Sequence, residues 1–267
     1  WSGGTVAGGG AFTVSNTLNL NGTTKFLDGR VFTNNAVTTW DGTGLLRLQN
    51  TASFNNNVSL TVSGNFASDA GTGVNTFNNT GTFTKSGGTG ASSIGAVFNN
   101  TNTVNVNAGT LNLTGGTSGG GDTGAFNVTL GNTLQFGNGT HAVTGVIAGA
   151  GNLLLSAGTV NMSGAYTLTG AITDSGGTGN LTPTTSMSPA SITVSAGALT
   201  LTPASGSLAP TFVTVSSGTA TLNAPTSTPT LTLSGGTLNG TGVVTTTDMA
   251  WSGGTVAGGG AFTVSNT

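Results

Sequence analysis

Phe77-Asn78-Asn79-Thr80-Gly81-Thr82-Phe83-Thr84-Lys85 carries the pattern that decides the fold: Phe-Asn-Asn, a glycine turn, then apolar and polar residues in alternation. The triplet also stands at Phe54-Asn55-Asn56 and Phe98-Asn99-Asn100, with a variant at Phe32-Thr33-Asn34-Asn35. Its phenylalanines stand at 32, 54, 77 and 98, in nearly equal steps. Further along, the marker becomes a small-residue turn before an alternating run, as in Ala108-Gly109-Thr110-Leu111-Asn112-Leu113 and Ser217-Gly218-Thr219-Ala220-Thr221-Leu222. There the glycines stand at 197, 218, 236 and 254, so the last two steps are the shorter ones.

A period of this length, made of short alternating strands and glycine corners, predicts an all-β parallel β-solenoid with coils of about 18–23 residues. Alternate side chains point into a narrow core, while Thr, Asn and Ser face water. Equivalent positions stack from coil to coil. Phe32, Phe54, Phe77 and Phe98 are therefore expected to form an internal aromatic column. The Asn pairs (Asn34 and Asn35, Asn55 and Asn56, Asn78 and Asn79, Asn99 and Asn100) are expected at a corner, as a hydrogen-bonded ladder in which Asn tolerates left-handed backbone. A right-handed crossover is the default for parallel strands. At this coil length, 250 residues make roughly a dozen coils and advance about 60 Å. Thr114–Gly124 and Asp69–Gly73 break the pattern and read as loops. The prolines at 183, 189, 203, 210, 225 and 229 should lie at corners, because proline cannot donate to a ladder.

A longer period overlies the short one. Trp1 to Thr17 (WSGGTVAGGGAFTVSNT) is repeated letter for letter as Trp251 to Thr267. The chain thus reads as one unit, 1–250, followed by the start of an identical unit, 251–267, with Trp1 and Trp251 marking the junction. The ends are expected to be cuts in a longer polymer, with covalent joining favoured over head-to-tail contact.

Composition supports this and excludes other classes. Only 4% of residues are charged, against roughly 25% in ordinary globular proteins. There is no Glu, and 48 of the 267 residues are Gly. The abundant Thr, Val and Phe favour strands, and Gly, Asn and Ser favour turns. With no cysteine, disulfides and thiolate metal sites are excluded. A net charge of −2 and four scattered bases do not fit a nucleic-acid partner. No apolar run is long enough for a membrane-spanning helix.

The run Phe77 to Gly90, with Phe98-Asn99-Asn100, Gly109-Thr110-Leu111-Asn112-Leu113, Gly149-Ala150-Gly151-Asn152-Leu153 and Trp-Ser-Gly-Gly-Thr at Trp1 and Trp251, resembles the long repeats of giant bacterial surface proteins. These are similar to filamentous-haemagglutinin and autotransporter-passenger adhesins. The resemblance covers most of the chain and is weakest from 180 to 230. It implies secretion, a right-handed β-solenoid shaft, and a role in adhesion or cell-surface structure.

Chemistry is sparse. Asp28 and Asp41, with Lys25 and Arg30, form the densest charged group, and stacking could bring Asp28, Arg30 and Arg47 onto neighbouring coils. Convergence of Asp28, Asp41 and Arg47 in a cleft would suit a polysaccharide lyase or hydrolase, which needs paired carboxylates; ion pairing or a solvated rim is the preferred reading. His141, the sole histidine, is expected at the surface or in a turn. Gly119-Gly120-Gly121-Asp122 is one copy of a calcium motif that works in arrays. Thr200-Leu201-Thr202 and Thr219-Ala220-Thr221 suggest an ice-binding face, but their spacing is not kept by Thr230-Leu231-Thr232. Trp40 and Tyr166 are core candidates, or else surface aromatics for sugars. No catalytic residue, metal or cofactor is expected. The expected function is a secreted, structural repeat protein forming an extracellular fibre or cell-surface stalk. An adhesin that binds glycans through shaft loops such as Thr114–Gly124 is the alternative. Its expected partners are further copies of the unit, laterally bundled shafts, and glycans or surfaces.

Overall fold

The computed structural model describes residues 1–119 and 121–265. The chain is all-β, built of parallel stacked strands as a β-solenoid, and divides into two compact units, Trp1–Leu134 and Gln135–Thr267. Each unit is a stack of coils. Among the described residues no helix is long and apolar enough to cross a membrane.

In the first unit each coil but the last lays one strand on each of three sheets; the coil of Thr110–Leu113 and Ala125–Val128 has no strand on the second. One sheet holds Gly4–Ala7, Lys25–Asp28, Leu45–Gln49, Ala67–Ala70, Ala91–Ile94 and Thr110–Leu113. The second is five-stranded, with Ala11–Val14, Val31–Asn34, Ser53–Asn56, Thr76–Asn79 and Val97–Asn100 in spatial order. The third runs from Thr17–Leu20 through Val37–Trp40, Ser59–Val62, Thr82–Lys85 and Thr103–Val106 to Ala125–Val128. These strands are four or five residues long; Gly4–Ala7 and Ala11–Val14 have no buried residue, and those further in alternate between buried and more exposed positions. Apolar residues recur with period two because successive strand side chains face opposite sides of the sheet. Registers step by one coil: Phe32 pairs with Phe54, Phe54 with Phe77, and Phe77 with Phe98. One step is longer, with Ala67 opposite Ser93.

The second unit uses smaller coils. Leu231 lies opposite Met249 and Thr237 opposite Thr255, shorter steps than that from Phe54 to Phe77. Some strands run through a corner: Ala171–Leu181 and Ser191–Leu201 each serve two faces, with a register irregularity around Ser175. The third face has Val146–Gly149 and Ala165–Leu168, but segments 182–190 and 202–211 carry no named strand. Those segments hold Pro183, Pro189, Pro203 and Pro210, which fits a residue that cannot donate to a ladder. Pro229 lies within a strand, Thr226–Leu233, at the point where its inward–outward alternation breaks. It falls where the strand turns between faces, and the residues paired on either side are Thr228 with Thr246 and Thr230 with Asp248. The corners need glycine. Gly218 and Gly236 have φ of +69° and +66°, and a Cβ on either would stand about 2.3 or 2.5 Å from the carbonyl oxygen of the glycine one coil back.

Two expectations are corrected. Asp69 and Ala70 are strand residues in Ala67–Ala70, and the excursion begins at residue 71. The ladder asparagines lie in strands, not at left-handed corners: among the described residues, the non-glycines with positive φ are Asn50 and Thr51. Left-handed Asn50 does bond along the axis at a corner, donating to Asp28 and accepting from Thr72, but the Phe-Asn-Asn ladders run within the strands.

Candidate functional site

The interior of the first unit is organised by two columns. Phe32, Phe54, Phe77 and Phe98 are buried, with successive ring centroids 5.0, 4.9 and 5.6 Å apart. Phe12 continues the column 5.3 Å from Phe32, and Trp1 stacks on the same ring at 5.7 Å. Beside them, Asn34, Asn56, Asn79 and Asn100 are also buried, and each donates its amide to the next through bonds of 2.9, 2.7 and 2.8 Å. Each amide also donates to a backbone carbonyl: those of Ser59, Thr82, Thr103 and Ala125 in turn. A buried amide is tolerated only when so paired. Asn55, Asn78 and Asn99 face outward and form a second ladder of opposite sense, Asn78 donating to Asn55 and Asn99 to Asn78, both at 2.8 Å. Asn35 belongs to neither ladder. It follows the strand Val31–Asn34 and accepts from Asn57 at 2.9 Å, so the variant triplet aligns one residue differently from its spelling.

The inner ladder ends where the Asn100 amide donates to the Ala125 carbonyl, and the Asn100 backbone N–H meets a buried carboxyl. Asp122 lies one coil beyond Asn100 and is fully buried. Its Oδ1 accepts the Asn100 N–H at 2.8 Å, and its Oδ2 has no partner. Burial pushes its pKa up to about 7, against the opposing pull of that hydrogen bond. Asp174, buried in the second unit, accepts from Gly176 and Gly177 through Oδ1 and leaves Oδ2 unpartnered; burial raises its pKa as well. Gly120, part of the calcium-like tetrad, lies outside the described residues. Among those described, no three His, Cys, Asp or Glu side chains cluster to hold a metal ion.

The charged residues singled out from sequence do not share a site. Asp28 accepts from Asn50 at 2.6 Å. Asp41 accepts from the Thr43 hydroxyl and N–H, which hold its pKa below the usual carboxylate value. Arg47 forks onto Asp69, with Nε at 2.9 and 3.0 Å from the two carboxylate oxygens. Arg30 reaches back to the carbonyls of Ala7 and Ala11 and packs over Phe12. The Thr motifs are offset, with Thr200 opposite Thr221 and Ala198 opposite Thr219. Trp40 and Tyr166 are core residues. His141 is buried, contrary to its expected surface or turn position. Thr140-His141-Ala142-Val143 is a strand whose second and fourth side chains point inward, and the ring packs 4.7 Å from Phe136 with Nε2 2.9 Å from the Asn138 carbonyl.

Lys25, placed by the sequence in a charged group read as ion-paired or a solvated rim, is buried, and so is Lys85, to which sequence reasoning assigned no site. The Lys25 ammonium donates to the carbonyls of Thr23 and Thr43, and that of Lys85 to Gly87 and Gly88. Burial lowers both pKa values, opposed at Lys25 by Asp41. Strand parity held the signal: Lys85 is two positions from Phe83 and shares its inward face.

The duplicated segment is where the two units become comparable. Thr5 and Val6 lie in the strand Gly4–Ala7, and their copies form Thr255–Val256; Phe12, Thr13 and Val14 lie in Ala11–Val14, and their copies form Phe262–Val264. Gly4 and Gly254 share a φ of +85°, and Gly8 and Gly258 have +89° and +96°; Gly10, at +89°, has no positive-φ counterpart at Gly260. Their bonding partners are opposite. The first copy pairs forward: Trp1, Ser2 and Val14 carbonyls accept from the N–H groups of Asn21, Thr23 and Asn35 at 3.2, 2.7 and 2.8 Å, and Gly4 N–H donates to Thr24. The Ala7 carbonyl accepts from Arg30 at 2.7 Å. The second copy pairs backward: Ser252, Thr255, Ala257, Gly260 and Ser265 donate to Leu233, Gly236, Leu238, Gly240 and Thr246, and the Ala261 carbonyl accepts from Val244. Among the described residues these two sets overlap in sequence position only at the carbonyl shared by Ala11 and Ala261, which has two lone pairs. One copy of the segment can therefore satisfy both neighbours at once, as a middle strand does in a parallel ladder.

No family model, curated protein or solved structure matches this chain.

Proposed function

We propose that the chain is a structural segment of a secreted repeat protein, in which 250-residue solenoid units run into one another to form an extracellular fibre or cell-surface stalk. The observation that carries this reading is the complementary bonding of the duplicated segment. Residues 251–265 bond backward chiefly with donors, and residues 1–17 bond forward chiefly with acceptors, so one coil in the place of both closes the junction without a linker. Trp251, now 56% exposed, would there take the place of Trp1 over the next unit's Phe32. Stability then accumulates coil by coil through nearest-neighbour contacts, which suits a long shaft. The buried amide and phenyl columns support a mechanical role, and Arg47, Asp28 and Asp41 each have a local structural partner. The resemblance to bacterial surface repeats supports an extracellular setting.

The test is a chain of two complete units, residues 1–250 followed by 1–267. Electron microscopy should show one straight shaft, longer by about 60 Å than the single unit, and the fluorescence of the internal junction tryptophan should shift to the blue as that ring is covered. Two beads joined by a flexible link would sink the proposal.

A further inference from the structure

The coils at residues 18–40 form a rim that holds residues 1–17 by a definite set of contacts. Asn21, Thr23 and Asn35 donate to Trp1, Ser2 and Val14, Arg30 donates to Ala7, and the apolar partners are Leu27 for Val6 and Phe32 for Phe12. Each is made to a backbone carbonyl or to Val6 or Phe12. Residues 251–265 carry these same groups in the same order, and the bonds that seat them on coils 233–246 use none of those carbonyls; the one shared acceptor is Ala261, which takes the Val244 N–H while its copy Ala11 accepts from Arg30. At that end Trp251 and Val264 are exposed, and the edge facing away from coil 233–246 is ready-made for strand addition.

We propose that the rim at residues 18–40 is a docking surface for residues 251–265 of a second copy of the chain, which enter by exchange with residues 1–15. This rests on the junction reading above and adds to it a non-covalent partner: residues 18–40 of one chain receive residues 251–265 of another, head to tail. The fit selects a second copy because residues 251–265 offer the rim the same carbonyls and apolar side chains that residues 1–15 offer it. Exchange therefore replaces each interaction with its like and is nearly balanced in energy. Tethering favours the intramolecular coil, since a short covalent link acts as a local concentration on the order of millimolar. The association is heterologous and so extends into a filament instead of closing as a dimer.

The chain has no cysteine, which makes a disulfide test clean. Thr13 and Thr33 are register partners on neighbouring strands, and Thr263 is the copy of Thr13. Paired strands stand about 4.8 Å apart, within disulfide reach. In the full chain, Thr33→Cys with Thr263→Cys is combined with Phe12→Asp, which loosens the resident coil by removing its stacking on Phe32. Mild oxidation should yield a ladder of covalent oligomers, about tenfold more abundant than with Phe12 intact. Adding Phe262→Asp, which cripples the incoming coil, should abolish the ladder. Thr13→Cys with Thr33→Cys should close within one chain, confirming that the rim is folded in register. If that control closes while the exchange variant stays monomeric, or gives dimers only, docking is overturned and the two-unit shaft stands on its own test. If the control fails to close, the rim is not built as described and both readings fall.

Discussion

The two units solve the same packing problem at different coil sizes. In the first, three four-residue strands per coil enclose a cross-section wide enough for phenyl rings, and Phe32, Phe54, Phe77 and Phe98 fill it beside a buried amide ladder. In the second, coils shrink towards the end, and the columns there are aliphatic: Ile192, Val213 and Leu231 stack on one face, Val194, Val215 and Leu233 beside them. Nine of the twelve phenylalanines lie before residue 134. Coil length and inward side-chain volume vary together because interiors pack to near-crystalline density, so a wider ring of backbone needs larger contents. The wider coil also brings polar backbone inward at its corner, where the ladder amides bond it.

The largest test of this matching is truncation of the wide core. Phe54→Ala should cost about 3–5 kcal/mol in urea denaturation, because rings on both sides hold the cavity open. The reciprocal overpacking, Leu231→Phe in the narrow coil, should cost about 1–3 kcal/mol. If Leu231→Phe proves neutral, the two cross-sections are not distinct. Next comes pH. Asp122 has a folded pKa of about 7, above its unfolded value of 3.8, so its neutral form is the one the fold accepts. Its contribution is complete below about pH 4 and is lost as pH rises through about 7, a swing on the order of a few kcal/mol. Asp122→Asn should flatten that part of the stability profile, while Asp174 keeps an acid-favoured trend in the second unit. Asn56→Ala should then cost about 1–3 kcal/mol, since it strands the amide of Asn34 and the carbonyl of Asn79, whereas outward Asn55→Ala should cost less. Smallest is Arg47→Ala. The ion pair with Asp69 is substantially exposed, so its loss should cost the least of these changes and vanish in high salt.

The phenylalanine column was legible because an aromatic that recurs once per coil, always at the head of an alternating strand, has to stack on its own repeats. The asparagines were half legible. Their repetition marked a ladder, but which of two adjacent residues points inward depends on strand parity, and the Phe32 variant hid it. His141, Lys25 and Lys85 were misplaced or overlooked because polarity was weighed ahead of parity. Each follows the alternation of its strand, and each finds backbone carbonyls at the neighbouring turn. Asp122 could not be read at all, since its burial depends on a coil whose second face has no regular strand.

By itself, the sequence determined the solenoid, its coil length and the identity of the two end segments, because periodicity is a one-dimensional property that stacking translates directly into structure. Tertiary structure alone decided where the buried carboxyls lie. It also decided that the two copies bond in opposite directions. Those depend on register between coils a full turn apart in sequence, and register is set by how side chains and corner carbonyls meet in the folded stack.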